Sequence, residues 1–248
     1  MKDYNPYSLE GKKILITGAS SGIGKATAIE CSKLGAIVIV TGRNEVRLRE
    51  TYHSLSGVGH FMYIANLADE MEVESLAISL PELDGVFFCA GITDTTLVKF
   101  VKKERMEEVL NINLISPTML TKYLLSKKKI RKAASLVYMS SYGAEKVTLG
   151  LGIYAASKLG LNAMVHAIAK ELVSRKIRAN SIMPMMVKTE LVDNITSISK
   201  EELRKDEGNY PLGYGEPLDV ALAAIYLLSD ASKWITGSQI KMDGGSTL

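Results

Sequence analysis

The chain carries only two cysteines, Cys31 and Cys89, among 248 residues. Two thiols cannot build a disulfide framework, and neither has a second cysteine or a histidine at metal-ligand spacing. Reduced thiols in a cytoplasmic protein are therefore expected. The three histidines, His53, His60 and His166, are equally isolated, so no metal is implied. No run of about 18 uncharged apolar residues occurs, which excludes a membrane-spanning helix. The opening Met1-Lys2-Asp3-Tyr4-Asn5-Pro6 has an acid and a proline where a signal peptide needs an apolar stretch. Charge of one sign is also scarce. The formal net charge is +3 with Lys and Arg scattered, which gives no argument for nucleic acid or a membrane surface as partner. The one basic run, Lys127-Lys128-Lys129-Ile130-Arg131-Lys132, reads first as a solvated helix end, where cations suit the dipole, and second as a docking point for an acidic carrier protein. Linkers rich in Pro, Gly or Ser are missing, as are fixed-period repeats, so one domain over 1–248 is expected.

With 47% hydrophobic and 23% charged residues, the chain has the balance of an ordinary globular protein. Short β-branched runs at Ile14-Leu15-Ile16, Ile37-Val38-Ile39-Val40, Val86-Phe87-Phe88, Leu136-Val137-Tyr138-Met139 and Ser181-Ile182-Met183 show no in/out alternation. That is the pattern of strands covered on both faces. Between them lie helix-length segments, including Lys25 to Leu34, Lys103 to Leu125 and Tyr154 to Ser174, with apolar residues three and four apart. Strand and helix in strict succession predict right-handed βαβ units and an α/β fold.

The first strand-to-helix junction is Thr17-Gly18-Ala19-Ser20-Ser21-Gly22-Ile23-Gly24. Glycines at this point permit a tight turn and let backbone N–H groups approach a pyrophosphate at the positive helix end. After the second strand comes Thr41-Gly42-Arg43-Asn44, with no carboxylate. An acid there would bond the adenosine 2'-hydroxyl; Arg43 instead offers a planar cation to a 2'-phosphate. NADP(H) is thus the preferred cofactor, with NAD(H) possible.

Tyr154-Ala155-Ala156-Ser157-Lys158 sets a phenol and an ammonium four residues apart, on one face of a helix. A free phenol, with a pKa of about 10, is a poor proton donor at neutral pH. A cation about 4–5 Å away, at an effective dielectric of about 20, favours the phenolate by about 3–4 kcal/mol, or about two to three pK units. The expectation is a tyrosine shifted down to serve as general acid or base near neutrality. Tyr-x-x-x-Lys alone is common in helices, and the rest of the chain decides its meaning.

In order and spacing, Thr17 to Gly24, Asn113-Leu114, Ser141 ahead of Tyr154, Tyr154 to Lys158, Pro184 with Val187 and Thr189, Thr236-Gly237 and Asp243-Gly244-Gly245 resemble the single-domain short-chain dehydrogenase/reductase family, notably its 3-oxoacyl carrier protein reductase-like members. The resemblance implies a Rossmann-type doubly wound parallel sheet of about seven strands with helices on both faces, and a substrate lid around 190–212. It implies an NAD(P)-dependent oxidoreductase interconverting a carbonyl and a secondary alcohol, with a 3-oxoacyl thioester or a sugar or other small carbonyl metabolite as substrate. Tyr154 would exchange the proton, Lys158 would lower its pKa and hold the nicotinamide ribose, Ser141 would bond the reacting oxygen, and Asn113 would hold a relay water. Cofactor contacts would come from Gly18, Ser20, Ser21, Gly22, Ile23, Gly24, Arg43, Asn66, Leu67, Ala90, Gly91, Tyr154, Lys158, Pro184, Val187 and Thr189. Ser140 and Asn111 read as packing and capping residues. A homotetramer or homodimer is implied, with the helices carrying Asn113 and Tyr154 at one interface and the strand Gln239 to Met242 at another.

Two departures stand out. Cys89-Ala90-Gly91 replaces the usual Asn-Ala-Gly, and Pro184-Met185 replaces the usual Pro-Gly. Met185 and Met186 are accordingly expected on an apolar wall of the substrate site. A reading from another class, a dinucleotide sensor without turnover, would have no need for Ser141, Tyr154, Lys158 and Asn113 together.

Overall fold

A computed structural model describes residues 4–190 and 200–248. Seven strands form one parallel sheet: β1 (Lys13–Thr17), β2 (Ile37–Gly42), β3 (Phe61–Ile64), β4 (Leu83–Phe88), β5 (Ile130–Met139), β6 (Arg178–Pro184) and β7 (Gln239–Met242), in the order β3-β2-β1-β4-β5-β6-β7. The helices are α1 (Gly22–Lys33), α2 (Glu45–His53), α3 (Glu70–Ser79), α4 (Lys103–Leu110), α5 (Ser116–Ser126), α6 (Gly152–Leu172), α7 (Lys200–Glu207) and α8 (Pro217–Leu228).

The unbroken apolar runs in the strands follow from a core on each face. Leu15, Ile39, Val86, Phe88, Leu136 and Tyr138 point to one side, with Leu76 of α3, Leu120 of α5 and Val165 of α6. Ile14, Ile16, Val38, Val40, Phe87 and Val137 point to the other, with Ala28 of α1 and Ala224 of α8. Successive residues of a strand face opposite ways, so a sheet covered twice needs apolar residues throughout.

Two elements differ from the sequence expectation. The segment from Lys103 to Leu125 is not one regular helix: Asn111–Ile115 forms a π-type turn between α4 and α5. The 3.6-residue pattern continues through it, but the Asn113 side chain is drawn to the backbone of Ile92, and the helix absorbs one extra residue per turn there. The edge strand β3 has only four residues, apolar throughout, yet exposes Phe61 and Ile64, so it lacks the two-sided burial that marks the inner strands.

Strand order reverses between β1 and β4, which stand side by side while their helices lie on opposite faces. A crevice opens at the carboxyl ends of strands at such a switch point. The turn after β1 and the segment after β4 therefore share one cleft.

Candidate active site

The cleft has a volume of about 380 Å³ and runs from Arg43, beyond β2, past the turn after β1, to Tyr154 and Lys158 on α6. Two glycines of the turn are required by close approach. Gly18 has φ +65°, and a Cβ on it would stand 2.8 Å from the Cα of Ala90; a Cβ on Gly24 would run into the Gly18 carbonyl oxygen. Ser21, in extended conformation at the head of α1, makes no capping bond with its side chain, and the first turn of α1 has no acidic residue. The positive end of α1 is thus left uncompensated at the cleft. A backbone cradle that admits no side chain, open to a helix N-terminus, fits the diphosphate of a dinucleotide.

Of the residues singled out in the sequence, Gly18, Ser20, Ser21, Gly22, Ile23, Gly24, Arg43, Asn66, Leu67, Ala90, Gly91, Tyr154, Lys158 and Thr189 line this cleft together. Asn113, Ser141, Pro184 and Val187 do not reach its wall. Pro184 ends β6 in register with Met242, and Val187 bridges to Gly215. Met185 donates its backbone N–H to the Met242 carbonyl (2.8 Å), and neither it nor Met186 lines the cleft. The lid segment is described only in part, because 191–199 lie outside the described residues. Its later portion contains α7, held by Tyr214, whose hydroxyl donates to Asp206 Oδ2 (2.7 Å).

At the Tyr154 end, α6 runs beneath the end of β5. Lys158 is only 4% exposed, and its Nζ donates to the Met139 carbonyl (2.8 Å) while lying 5.8 Å from the centre of the Tyr154 ring. The tyrosine is not shifted down as expected. Burial pushes its phenol above the ordinary value, and a hydrogen bond with Ser141 only partly offsets that. Loss of water disfavours the ammonium as well, bringing Lys158 down to about 8. The sequence argument treated the pair as two charges at partly hydrated distance, whereas both sit where desolvation dominates. Cys89, in the position of the usual asparagine, follows the same rule: burial pushes its thiol up to about 12 against the pull of Lys158, so it is a neutral, inert side chain. The amides of Cys89 and Ala90 are both received by Thr17 Oγ1 (3.0 and 3.1 Å), which holds this segment without help from residue 89.

Asn113 is buried and fully engaged. Its Oδ1 accepts from Ile92 N–H (2.9 Å), and its Nδ2 donates to the Ile92 carbonyl (2.9 Å) and to Ser157 Oγ (3.0 Å). Ser157 in turn donates to the Tyr154 carbonyl (2.6 Å). A point one carbon out from Gly91 lies 3.1 Å from Asn113 Oδ1 and 3.3 Å from Lys158 Nζ, so only glycine leaves the space between them open. Ser140 donates to the Lys158 carbonyl (3.3 Å), and Asn111 Nδ2 to the Ala68 carbonyl (2.8 Å); both join backbone segments.

Sequence reasoning missed Ser157, Arg47 and Glu190. Ser157 was hidden inside the Tyr154–Lys158 motif as a spacer. Arg47 and Glu190 line the cleft from α2 and from beyond β6 and form an ion pair of 2.6 Å that only tertiary structure brings together.

With this geometry, the chain also matches the family model described as enoyl-(acyl carrier protein) reductase over residues 18–247. It belongs to the short-chain dehydrogenase/reductase family. Among curated proteins, this short-chain dehydrogenase/reductase is 35% identical to the 3-oxoacyl-[acyl-carrier-protein] reductase of Rickettsia felis, covering 96% of this chain and 97% of the relative. It is 33% identical to the protein of the same name from Thermotoga maritima, covering 96% and 98%. Among solved structures, a Beutenbergia cavernae protein named as an NAD(P)-dependent gluconate 5-dehydrogenase, with NADP bound at low occupancy, superposes with a TM-score of 0.88 at 26% identity, covering 98% of this chain and 99% of that one. The chain is accordingly an NAD(P)-dependent oxidoreductase of a carbonyl/alcohol pair. The basic run near its β5 strand is largely spent within the fold: Lys127 pairs with Glu74 (2.8 Å), Lys129 donates to the Leu80 carbonyl (2.5 Å) and Arg131 pairs with Asp84 (3.1 Å).

Proposed function

We propose that the enzyme is an NADP(H)-preferring reductase whose substrate is a 3-oxoacyl thioester. The reading rests on Arg43, which lines the far end of the cleft, is exposed, and forms no ion pair among the described residues. Its guanidinium is free to meet a 2'-phosphate, and neither residue directly after β2, Arg43 or Asn44, is a carboxylate that would bind a 2'-hydroxyl instead. The substrate class rests on the curated relatives, which are named 3-oxoacyl-[acyl-carrier-protein] reductases and match over nearly the whole chain.

In this reading, Gly18 and Ser20 to Gly24 hold the diphosphate, Asn66 and Leu67 the adenine side, and Ala90, Gly91, Tyr154 and Lys158 the nicotinamide ribose. Pro184, Val187 and Thr189 support the segment nearest the carboxamide. When bound, the reduced nicotinamide supplies a hydride for the substrate carbonyl carbon. Tyr154 then gives its proton to the carbonyl oxygen. Its raised pKa keeps it protonated at neutral pH, the form that reduction needs. The Ser141 hydroxyl donates to the same oxygen as negative charge develops. Lys158, near 8, is mostly charged at neutral pH, and its Nζ, 5.8 Å from the centre of the tyrosine ring, would return a proton to the site. Asn113 holds Ile92 and, through Ser157, the Tyr154 turn of α6.

A second reading, a sugar-acid or other small carbonyl substrate, is favoured by the structural likeness to the gluconate 5-dehydrogenase. Cytoplasmic location and a homotetramer belong to the same proposal. The tetramer is supported by Met106, Ile115 and Leu159, exposed on the helices that carry Asn113 and Tyr154, and by Trp234, 96% exposed ahead of β7. Light scattering should give four times the 27.0 kDa chain mass.

The deciding experiment titrates the protein with NADPH and with NADH, then follows cofactor oxidation against a carbonyl panel that includes a 3-oxoacyl thioester and a 5-keto sugar acid. Tighter NADPH binding with thioester turnover is the expected result. Preference for NADH, or turnover of the sugar acid alone, would overturn it in the corresponding part.

A further inference from the structure

Glu190 is the only carboxylate among the described residues that line the cleft. An acid facing a site built for phosphates opposes ligand binding unless its charge is masked. Here it is masked: Arg47 Nη1 stands 2.6 Å from Glu190 Oε2, with both side chains about half exposed. Arg47 is placed by α2, whose first turn is fixed by the Asn44 side chain accepting the Arg47 N–H (3.1 Å). Glu190 is placed by Thr189, whose methyl would lie 3.3 Å from a Cβ on Gly22. The pair therefore spans the cleft between the Arg43 rim and the diphosphate turn.

We propose that this pair is a charge switch for cofactor choice: Arg47 is a second specificity-determining cation for the 2'-phosphate, and Glu190 is its built-in competitor. The inference rests on the NADP(H) reading and deepens it. A phosphate monoester carries close to two negative charges at neutral pH and takes a guanidinium in bidentate fashion. It outcompetes a singly charged, half-exposed carboxylate, and Arg47 passes from Glu190 to the phosphate. A cofactor with a free 2'-hydroxyl offers no such exchange and leaves the pair closed. Discrimination thus comes from the attraction of Arg47 for the phosphate, and Glu190 sets its size by the cost of breaking the pair, which falls on NADPH alone.

The test is calorimetric titration of NADPH and NADH into wild type, Glu190→Gln and Arg47→Gln, at about 50 mM salt so that screening is slight. An exposed pair is worth about 0.2–1 kcal/mol, so removing the competitor should tighten NADPH by about 1.4- to 5-fold, with NADH unchanged. Arg47→Gln should weaken NADPH by fivefold or more, again sparing NADH. Equal changes for both cofactors would mean that Glu190 acts only as a general repulsive charge, and would overturn the switch. So would an unchanged NADPH affinity in Arg47→Gln. If wild type prefers NADPH and Arg43→Ala abolishes that preference while these variants move nothing, the switch alone is wrong. If wild type prefers NADH, the cofactor reading fails and the switch with it.

Discussion

The two ends of the cleft are built on opposite principles. At the Arg43 end, the wall is made of backbone and exposed charge: a glycine turn, an uncompensated helix end, and guanidinium groups standing in solvent. At the Tyr154 end every titratable group has lost water, and its protonation is set by what surrounds it. The phenol goes up, the ammonium comes down to about 8, and the Cys89 thiol goes up to about 12. At the exposed end residue type alone describes the wall, whereas at the buried end it names the groups without their charge states.

The largest effect that would separate the ends is Tyr154→Phe. Loss of the proton donor should cut turnover about 100- to 10,000-fold, while NADPH titration gives nearly the wild-type affinity. Undiminished turnover would remove the tyrosine from the chemistry. The charge state of the buried end is probed by Lys158→Met. The unfolded lysine holds its proton up to about 10.5, the folded one only to about 8. The folded state thus carries a constant cost below pH 8 that is relieved as pH rises to 10.5. At about 1.36 kcal/mol per unit, the relief is on the order of 3 kcal/mol. Denaturant unfolding of wild type minus variant should rise across that window, and a flat difference would show a normally titrating lysine.

At the exposed end, Arg43→Ala should weaken NADPH alone. A hydrogen bond to a charged group is worth about 1.5–3 kcal/mol, or about ten- to a hundredfold in affinity. Equal weakening of NADH would blur the contrast. The smallest expected change is Ser157→Ala, which leaves a buried Asn113 N–H without its acceptor and should lower stability by about 1–3 kcal/mol in urea, with the NADPH preference intact. Altered cofactor preference in that variant would mean that the two ends are coupled through the network.

How legible the molecule was follows the same division. Continuous apolar runs identified the inner strands because each is covered on both faces, whereas β3 at the edge is only four residues long and buries none of them fully. The glycine turn was readable because Gly18 and Gly24 meet backbone rather than side chains, and backbone demands are written in residue type. The fourteen cleft-lining residues named from the sequence come from six separate strand ends and helices, and the switch-point topology gathers them. Pro184 and Val187, read as cofactor neighbours, stand at the end of β6 and in a bridge to Gly215, outside the lining of the cleft.

Local sequence was enough to determine the parallel α/β class, the position of the glycine turn after β1, and which functional groups line the cleft beside it, because periodicity, glycine sterics and functional-group type are properties of short segments. Only the tertiary structure decided three other things: that the helix around Asn113 takes a π turn to reach Ile92, that Arg47 meets Glu190 across 143 residues, and that Tyr154 is raised rather than lowered. Each depends on what distant parts of the chain bring near a group and on how much water they remove, and neither is written in the neighbours of a residue along the sequence.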